Sequence, residues 1–561
     1  MMPKASAQPR TGRHRQGIAL FLAMTCATAL PQSAPSPSTR ASTSGLYRIA
    51  GTVVNAVTGE PVRRAAVAVL AEEDSHTVES VESDNDGHFS LERLPATKYQ
   101  LTASHRGFRT AFYDEHDEFN SAIVTGPDQD TGHLTFRLTP GSVLRGVVTA
   151  DGGDPVQGAR VLLFLKPRGH NPDDRIVQVN TDATDDTGAY EFNNLAPGDY
   201  LVAVQAVPWY ALHHAGSDAR PKPASDPSAA LDVAYPVTYF DSTDDEAAAT
   251  PIVLTGGSRE QADIVLHVVP ALHLSMPLSR NPQDQRISPP SAIRQSIFGT
   301  QLPSDYFVSW AAARQGVIEF TGMAPGRYEL ALDNPPRTME LDATTSQQLD
   351  PTLGTPTLTV AGTLQTSSGS PPPDQAILTL ESVDGIQHRN PVQTTAVKGA
   401  FTFPSSVPPG AWQLEVVGAG ASLPVASISV AGRAHAGNLL TVRDRPLSVV
   451  VTVSLGASRV QGFARKDGKG LAGAMIILAP RNAAAFRSLV RRDQSDSDGS
   501  FSLRDVVPGQ YTLVAIEDAW ELDWARPEVL ARYLPSGIPV TVTDGSGKVV
   551  RISEPVPVQS R

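Results

Sequence analysis

Cysteine is almost missing from this chain: Cys26 is the single one in 561 residues. It falls in an N-terminal segment carrying Lys4, Arg10, Arg13 and Arg15, then the apolar run Ile18 to Leu30, then Ala27-Thr-Ala29 with the small-x-small form of a signal peptidase site. The run is shorter than the ~20 residues a spanning helix needs, and Ala23-Met-Thr lacks the small residue expected just ahead of a lipidated cysteine. Cleavage after Ala29 leaves a mature chain without cysteine. Disulfides are then excluded, and each folded unit must be stable through its core alone.

Positive charge is also scarce. Losing residues 1–29 removes four basic side chains and no acidic ones, which takes the net charge from −12 to −16. A surface this anionic repels phosphates and argues against a nucleic-acid partner. Catalytic motifs are missing as well: there is no His-Glu-x-x-His, no Gly-x-Ser-x-Gly and no mature cysteine nucleophile. The sequence reads as non-enzymatic, with no cofactor and no metal implied.

What is present is repetition. The stretch Thr187 to Val202, TGAYEFNNLAPGDYLV, has copies at Asp86–Leu101, Gly316–Leu330 and Asp498–Leu513, and a looser one at Gly399–Leu414. Tyr190 and Phe192 are two apart, as are Phe89 and Leu91 or Phe501 and Leu503, so each pair points to one face of a strand. Pro197-Gly198, Pro325-Gly326 and Pro508-Gly509 predict a tight turn, with glycine supplying a positive φ. The aromatic that follows, Tyr99, Tyr200, Tyr328 or Tyr511, opens the next strand, and its buried hydroxyl is expected to bond to turn backbone. In the looser copy Trp412 takes that place and has to satisfy its polar atom differently.

Hydrophobic content of 40% beside 44 Gly and 46 Pro describes a turn-rich folded chain and favours an all-β class. Five markers spaced by about one small sandwich of ~100 residues predict five domains. Residues 1–29 are read as the signal and 30–45 as a disordered linker. Sandwiches follow at 46–139, 140–269, 270–350, 351–445 and 446–561. Apolar strands stand before the joints: Leu134–Leu138 before Pro140, Ile264–Val269 before Pro270, and Leu447–Val453 before Gly456, the last at the opening of the fifth segment as drawn. Joints this short suggest a semi-rigid string.

Upstream of the marker a second pattern recurs. Ile49–Leu70 and Leu144–Leu163 each read as a strand with Gly-x-Val, and Val460–Leu478 as one with Gly-Phe-Ala at that place, each followed by a turn with Gly and Pro or Leu and then an alternating strand. Together, Gly-x-Val, Pro-Val-x-x-Ala-x-Val, Asp-x-x-Gly-x-Phe and Leu-x-Pro-Gly-x-Tyr resemble the carboxypeptidase regulatory-like domain. That resemblance implies a Greek-key, transthyretin-like sandwich of about seven strands, among the carbohydrate-binding-like folds. Both halves stand in segments one, two and five. Segment four has a distorted second half, and segment three, where Ala271 to Phe298 lacks Gly-x-Val, keeps only the second.

Few residues suggest chemistry. His76-Thr-Val-Glu79 has the zinc-ligand spacing of metallocarboxypeptidases but lies between strands of a small sandwich without a third ligand, and reads as a solvated pair. Asp84-Asn-Asp-Gly87, Asp185-Asp-Thr-Gly188 and Asp496-Ser-Asp-Gly499 resemble calcium loops, yet the position of the bidentate glutamate holds Pro95, Ala196 and Val507. Aspartates bonding their own turns, with glycine at positive φ, explain them. Lys466 or Lys469 with Glu517 and Asp544 resembles the isopeptide pairs of B-type repeats in collagen adhesins; the other segments have Val54 and Thr149 near that place, and no asparagine follows in the last strand.

The aromatic loops after two of the markers remain. Trp209, Tyr210, Tyr235 and Tyr239 lie in the second segment and Trp520, Trp524 and Tyr533 in the fifth, where Pro527–Leu534 reads as one or two helical turns. Exposed, they offer ring faces to a glycan; alternatively they plug the sandwiches or pack one module on another, which is the stronger reading. The sequence thus describes a secreted or periplasmic binding or scaffold chain of the cell envelope, whose partner is a glycan or an envelope protein, or an accessory to a separate peptidase.

Overall fold

The computed structural model describes residues 46–561 except 73–75, 168–174, 213–228, 278–289, 310–315, 334, 384–390, 456–457, 482–488 and 544–547. The expected signal and linker, residues 1–45, lie outside the described residues, as does Asp544. The described chain is nearly all β, and one plan recurs in it. In the first unit Tyr47–Asn55 pairs antiparallel with His88–Leu94, the first marker strand, and parallel with Leu134–Leu138. Facing this sheet, Ala66–Ala71 is flanked by Thr77–Glu82 and by Lys98–Ser104, the second marker strand. The apolar positions of both sheets point inward, and Ile49, Val67, Leu91, Leu101 and Phe136 are among those sealed between them. Five of the hydrophobic clusters lie one beneath each marker copy.

The Gly-x-Val glycine sits where three strands meet. A Cβ on Gly51, Gly146 or Gly362 would stand 2.1, 2.0 or 2.1 Å from the carbonyl oxygen of Leu134, Ala262 or Val449 on the parallel closing strand. On Gly462 it would stand 2.7 Å from the Phe501 ring. No side chain fits there. The third unit has Met276 at the equivalent register, opposite Ile318. Its closing strand, Gln347–Gln348, pairs only with Leu274 and Ser275 and so stops short of Met276. That accounts for the missing glycine, and Leu272–Pro277 still forms the opening strand of a two-sheet unit.

The marker's aromatic behaves as one device in all five copies. Tyr99, Tyr200, Tyr328 and Tyr511 each donate the hydroxyl to the carbonyl four residues back, on Pro95, Ala196, Ala324 and Val507, at 3.2, 2.9, 2.7 and 2.8 Å. Trp412 was expected to differ and does not: its Nε1 donates to Pro408, again four back, at 3.1 Å. The turn glycine is explained otherwise than expected. Gly198, Gly326 and Gly509 do not occupy the left-handed region. A Cβ on Gly198 or Gly509 would meet the following tyrosine ring at 3.2 or 3.1 Å, so glycine makes room for the ring. With no φ demand, Thr97 serves at this position in the first unit. The positive φ falls instead on Arg93, Asn194, Gly322 and Asp505, two residues before the accepting carbonyl, where the marker strand bulges.

One boundary moves. Leu447–Val453, assigned above to the fifth segment, pairs parallel with Leu358–Thr366 over its whole length and antiparallel with Val425–Val430. It closes the fourth sandwich, so the division at 445/446 belongs beyond Val453. Introducing a side chain at Gly146 tests the close approach: Gly146→Val should destabilise by about 1–3 kcal/mol through overpacking, while Gly126→Ala, which meets nothing within 4 Å, should leave the melt unchanged.

Candidate functional site

Two strands depart from the alternating pattern of a half-buried sheet. Arg160–Lys166 carries Val-Leu-Leu-Phe-Leu and Met475–Pro480 carries Met-Ile-Ile-Leu-Ala, and these runs are buried on both faces for most of their length. Their inner faces join the sandwich cores. Their outer faces need a cover, and the aromatic insertions supply it.

In the second unit the cover is Val237 and Tyr239 together with a hairpin tip from the third unit. Phe298, at φ 48°, and Gly299 turn between Ala292–Ile297 and Thr300–Pro303. The Phe298 ring meets Tyr239 at 5.0 Å and Phe164 at 5.1 Å, edge to face. Asp245 caps a short 3-10 turn by accepting from Ala247 N at 3.0 Å, which fixes Glu246 beside it. Glu246 then accepts from Phe298 N at 2.8 Å and from the Tyr239 hydroxyl at 3.2 Å, and pairs with Arg327. Burial, and secondarily Glu246, push the Tyr239 hydroxyl far above the ordinary phenol range. Tyr235 is sealed in the second core, and burial takes its hydroxyl up to about 12. Neither ring offers a face to solvent. Trp209 is different: it is 91% exposed, with Tyr210 standing perpendicular to it at 5.7 Å.

In the fifth unit the insertion lies between two sandwiches. Pro527–Leu530 forms one helical turn begun by proline, as expected, and Leu534–Ser536 a 3-10 turn. Tyr533 and Leu530 cover the outer face of Met475, Ile477 and Val514. Trp520 donates its Nε1 to the Gly473 carbonyl at 3.0 Å and stacks on His116 of the first unit, centroids 5.1 Å apart and 10° from parallel. Trp524 lies under the Arg492 guanidinium at 4.0 Å, a cation–π contact, and the same guanidinium covers Phe119 of the first unit at 5.0 Å. Arg492 also bonds Asp117 at 3.1 Å and Glu118 at 3.3 Å.

These contacts belong to a larger polar seam joining the first and last sandwiches. Asp84 and Asp185 accept from their own turn amides, two and four residues on, as the sequence suggests. Asp496 does not. One of its oxygens accepts from Ala122 N at 2.9 Å and the other bonds Lys98 Nζ at 2.5 Å, both in the first unit. Ser497 N donates to Ala122 O at 3.0 Å and Ser497 Oγ accepts from Val124 N at 2.8 Å. Gln494 donates to Asp114 and Ser121, and Ser121 to Ser495 O at 2.9 Å. The chain is therefore not an open string, because its last sandwich returns to its first. Sequence reasoning missed this since Asp114, Ser121, Gln494 and Asp496 look like solvated turn residues.

Beside the seam is a cleft of about 540 Å³ whose lining includes Glu72, Arg492, Asp493, Asp496 and Trp524. Burial raises the Asp496 carboxyl, with Lys98 opposing. Burial, opposed by the Ser502 amide and reinforced by Asp496, lifts Asp493 to about 6. Lys466 pairs with Glu517 as a half-exposed ion pair inside the fifth unit. Among the described residues no three His, Cys, Asp or Glu side chains gather as a metal site, and no helix is long and apolar enough to cross a membrane.

Fold and site together define a tandem array of β-sandwiches bound to one another by aromatic insertions and polar turns. The family of the first two is direct: the carboxypeptidase regulatory-like domain matches residues 48–139 and 143–216, and the chain carries that domain twice. No curated protein matches the sequence. Among solved structures, the TIE protein of Bacillus anthracis is 10% identical over 93% of this chain and 76% of its own, with a TM-score of 0.15. The minor pilin GBS52 of Streptococcus agalactiae is 12% identical over 40% of this chain and 97% of its own, at 0.19. Two B repeat units of the collagen-binding protein of Staphylococcus aureus are 11% identical over 73% of this chain and 100% of their own, at 0.12. The fold assignment rests on strand pairing within this chain.

A folded-state pKa above the unfolded one means the native state holds the proton more tightly. Stability from Asp493 is therefore fully present below 3.8 and lost as the pH rises to about 6. Asp493→Asn should flatten the fall of the melting temperature across that window, as followed by calorimetry.

Proposed function

We propose that this chain is a secreted or periplasmic, non-catalytic scaffold of the bacterial cell envelope that presents binding surfaces on a closed array of sandwiches. The observation that carries this reading is the use of the insertions: Tyr239 and Trp520 spend their rings on neighbouring sandwiches, and Trp524 supports Arg492, which reaches the first. Side chains committed to that packing make a rigid platform. A partner protein then reads the surface the array leaves open, including sheet edges such as Val177–Ala183, where Val177 and Val179 are 53% and 46% exposed. An N-terminal segment read as a signal and the anionic composition fit an exported chain with no nucleic-acid partner.

A second reading is favoured by one residue pair. Trp209 with Tyr210 is the aromatic surface open to a glycan, and stacking of a sugar ring on Trp209 fits its 91% exposure. Tyr235, Tyr239 and Tyr533 enter that reading as buried support beneath the surface. An accessory role beside a separate peptidase is a third form of the same scaffold.

Crosslinking in intact envelopes followed by mass spectrometry should recover a protein partner of the wild-type chain, and removing the exposed valines by Val177→Ser with Val179→Ser should reduce its yield severalfold. Recovery of no partner would remove the scaffold reading. Pull-down on insoluble polysaccharide that is lost with Trp209→Ala would favour the glycan reading instead.

A further inference from the structure

The seam between the first and last sandwiches has properties of a contact that can be made in two ways. Ile123–Val124 is an edge of the sheet in the first unit, paired on one side with Lys98 and Tyr99. On its other side the backbone groups of Ala122 and Val124 are satisfied by Asp496 and Ser497 of the fifth. Separating the two sandwiches would uncover a row of strand-edge donors and acceptors, a template for pairing with another chain. The two cores are separate: that of the first unit draws only on its own residues, and that of the fifth draws on nothing from the first. The seam itself is made of hydrogen bonds, ion pairs, the rings of His116 and Phe119 against Trp520, and the Arg492 guanidinium over Phe119, the composition of an interface that forms and parts.

The two faces are different surfaces, so the contact is heterologous. Such a contact closes when the geometry returns on itself and propagates when it does not. Within one chain the residues that meet are 373 or more positions apart, and the intervening sandwiches must hold the ends together.

We propose that this contact is exchangeable: it closes the monomer on itself, and when opened it joins the first sandwich of one copy to the last sandwich of a second copy, head to tail. The partner surface is supplied by the chain itself. Lys98 of one copy takes Asp496 of the next, and Trp520 stacks on the other copy's equivalent of His116. The inference stands apart from the proposed envelope scaffold, since it concerns self-association and needs no envelope ligand.

Charge exchange tests it in the full chain. Lys98→Glu sets two carboxylates against each other, and Asp496→Lys sets two ammonium groups. Each variant alone should stay monomeric with a larger hydrodynamic radius than wild type. Mixed, the two variants present opposite charges to each other at both junctions between unlike copies, which closes a dimer, and light scattering on a sizing column should show mass rising to about twice the monomer. Both substitutions in one chain should restore the compact monomer. Arg492→Glu with Glu118→Lys provides a second exchange should either first variant lose its cooperative melt. A mixture that remains monomeric while both variants melt cooperatively overturns the proposal. So does self-association of either single variant to the extent seen in the mixture.

Discussion

The buried aromatic that opens the second strand of each marker must find a partner for its polar tip, and in all five copies it finds the same one, the carbonyl four residues back. That bond ties the turn to the strand that follows it. The ring then fills the space between the sheets, the turn glycine clears its path, and the strand ahead bulges to aim the carbonyl. Trp412 shows that the bond is the requirement, since an indole N–H and a phenol O–H satisfy it alike. The hydroxyls carry the mark of this burial: Tyr511 is pushed up to about 12 by desolvation, with Arg491 opposing. Without disulfides, this anchor and the apolar core beneath it do the work of fixing each sandwich.

A sandwich built this way seals its inside and leaves two problems outside: the outer sheet faces and the sheet edges. The first and fourth units keep alternating strands, Ala66–Ala71 and Gln375–Ser382, whose outer faces tolerate water. The second and fifth do not, and their insertions cover them while reaching a neighbour. Cover and contact are thus the same residues. The edge at Ile123–Val124 is solved by a turn from the far end of the chain, which converts an ordinary aspartate turn into a junction. The array's closure and any binding function follow from how these outer surfaces are spent.

Much of this was legible in the sequence. The two-residue spacing of Tyr190 and Phe192, the aromatic after Pro-Gly, the aspartate turns at Asp84 and Asp185 and the proline-led helical turn at Pro527 all express local rules that act within a few residues. What escaped depends on distant partners. Met276 replaces a glycine because a strand some seventy residues on stops early. Gly198 answers to a ring and not to its own φ. Asp496 carries the same local signature as Asp185, and only the arrival of Lys98 and Ala122 turns it outward. The strongest overlooked signal was continuous apolarity: Val161 to Leu165 and Met475 to Ala479 are too hydrophobic for strands with one wet face, and announce that something covers them. The candidate aromatics were legible as a group, while their division into buried, interfacial and exposed members required the packing.

The joined array stands or falls on whether the first and last sandwiches touch in solution. Zero-length carbodiimide coupling reads this directly, because it links a lysine to a carboxylate only when the two are in contact. Lys98 with Asp496 is the reporter across the seam, and Lys466 with Glu517 is a pair of the same chemistry inside one sandwich. The closed array predicts that mass spectrometry of the monomer band finds both crosslinks, and that Asp496→Asn removes the first alone. A monomer band holding the Lys466–Glu517 link and no Lys98–Asp496 link would contradict it.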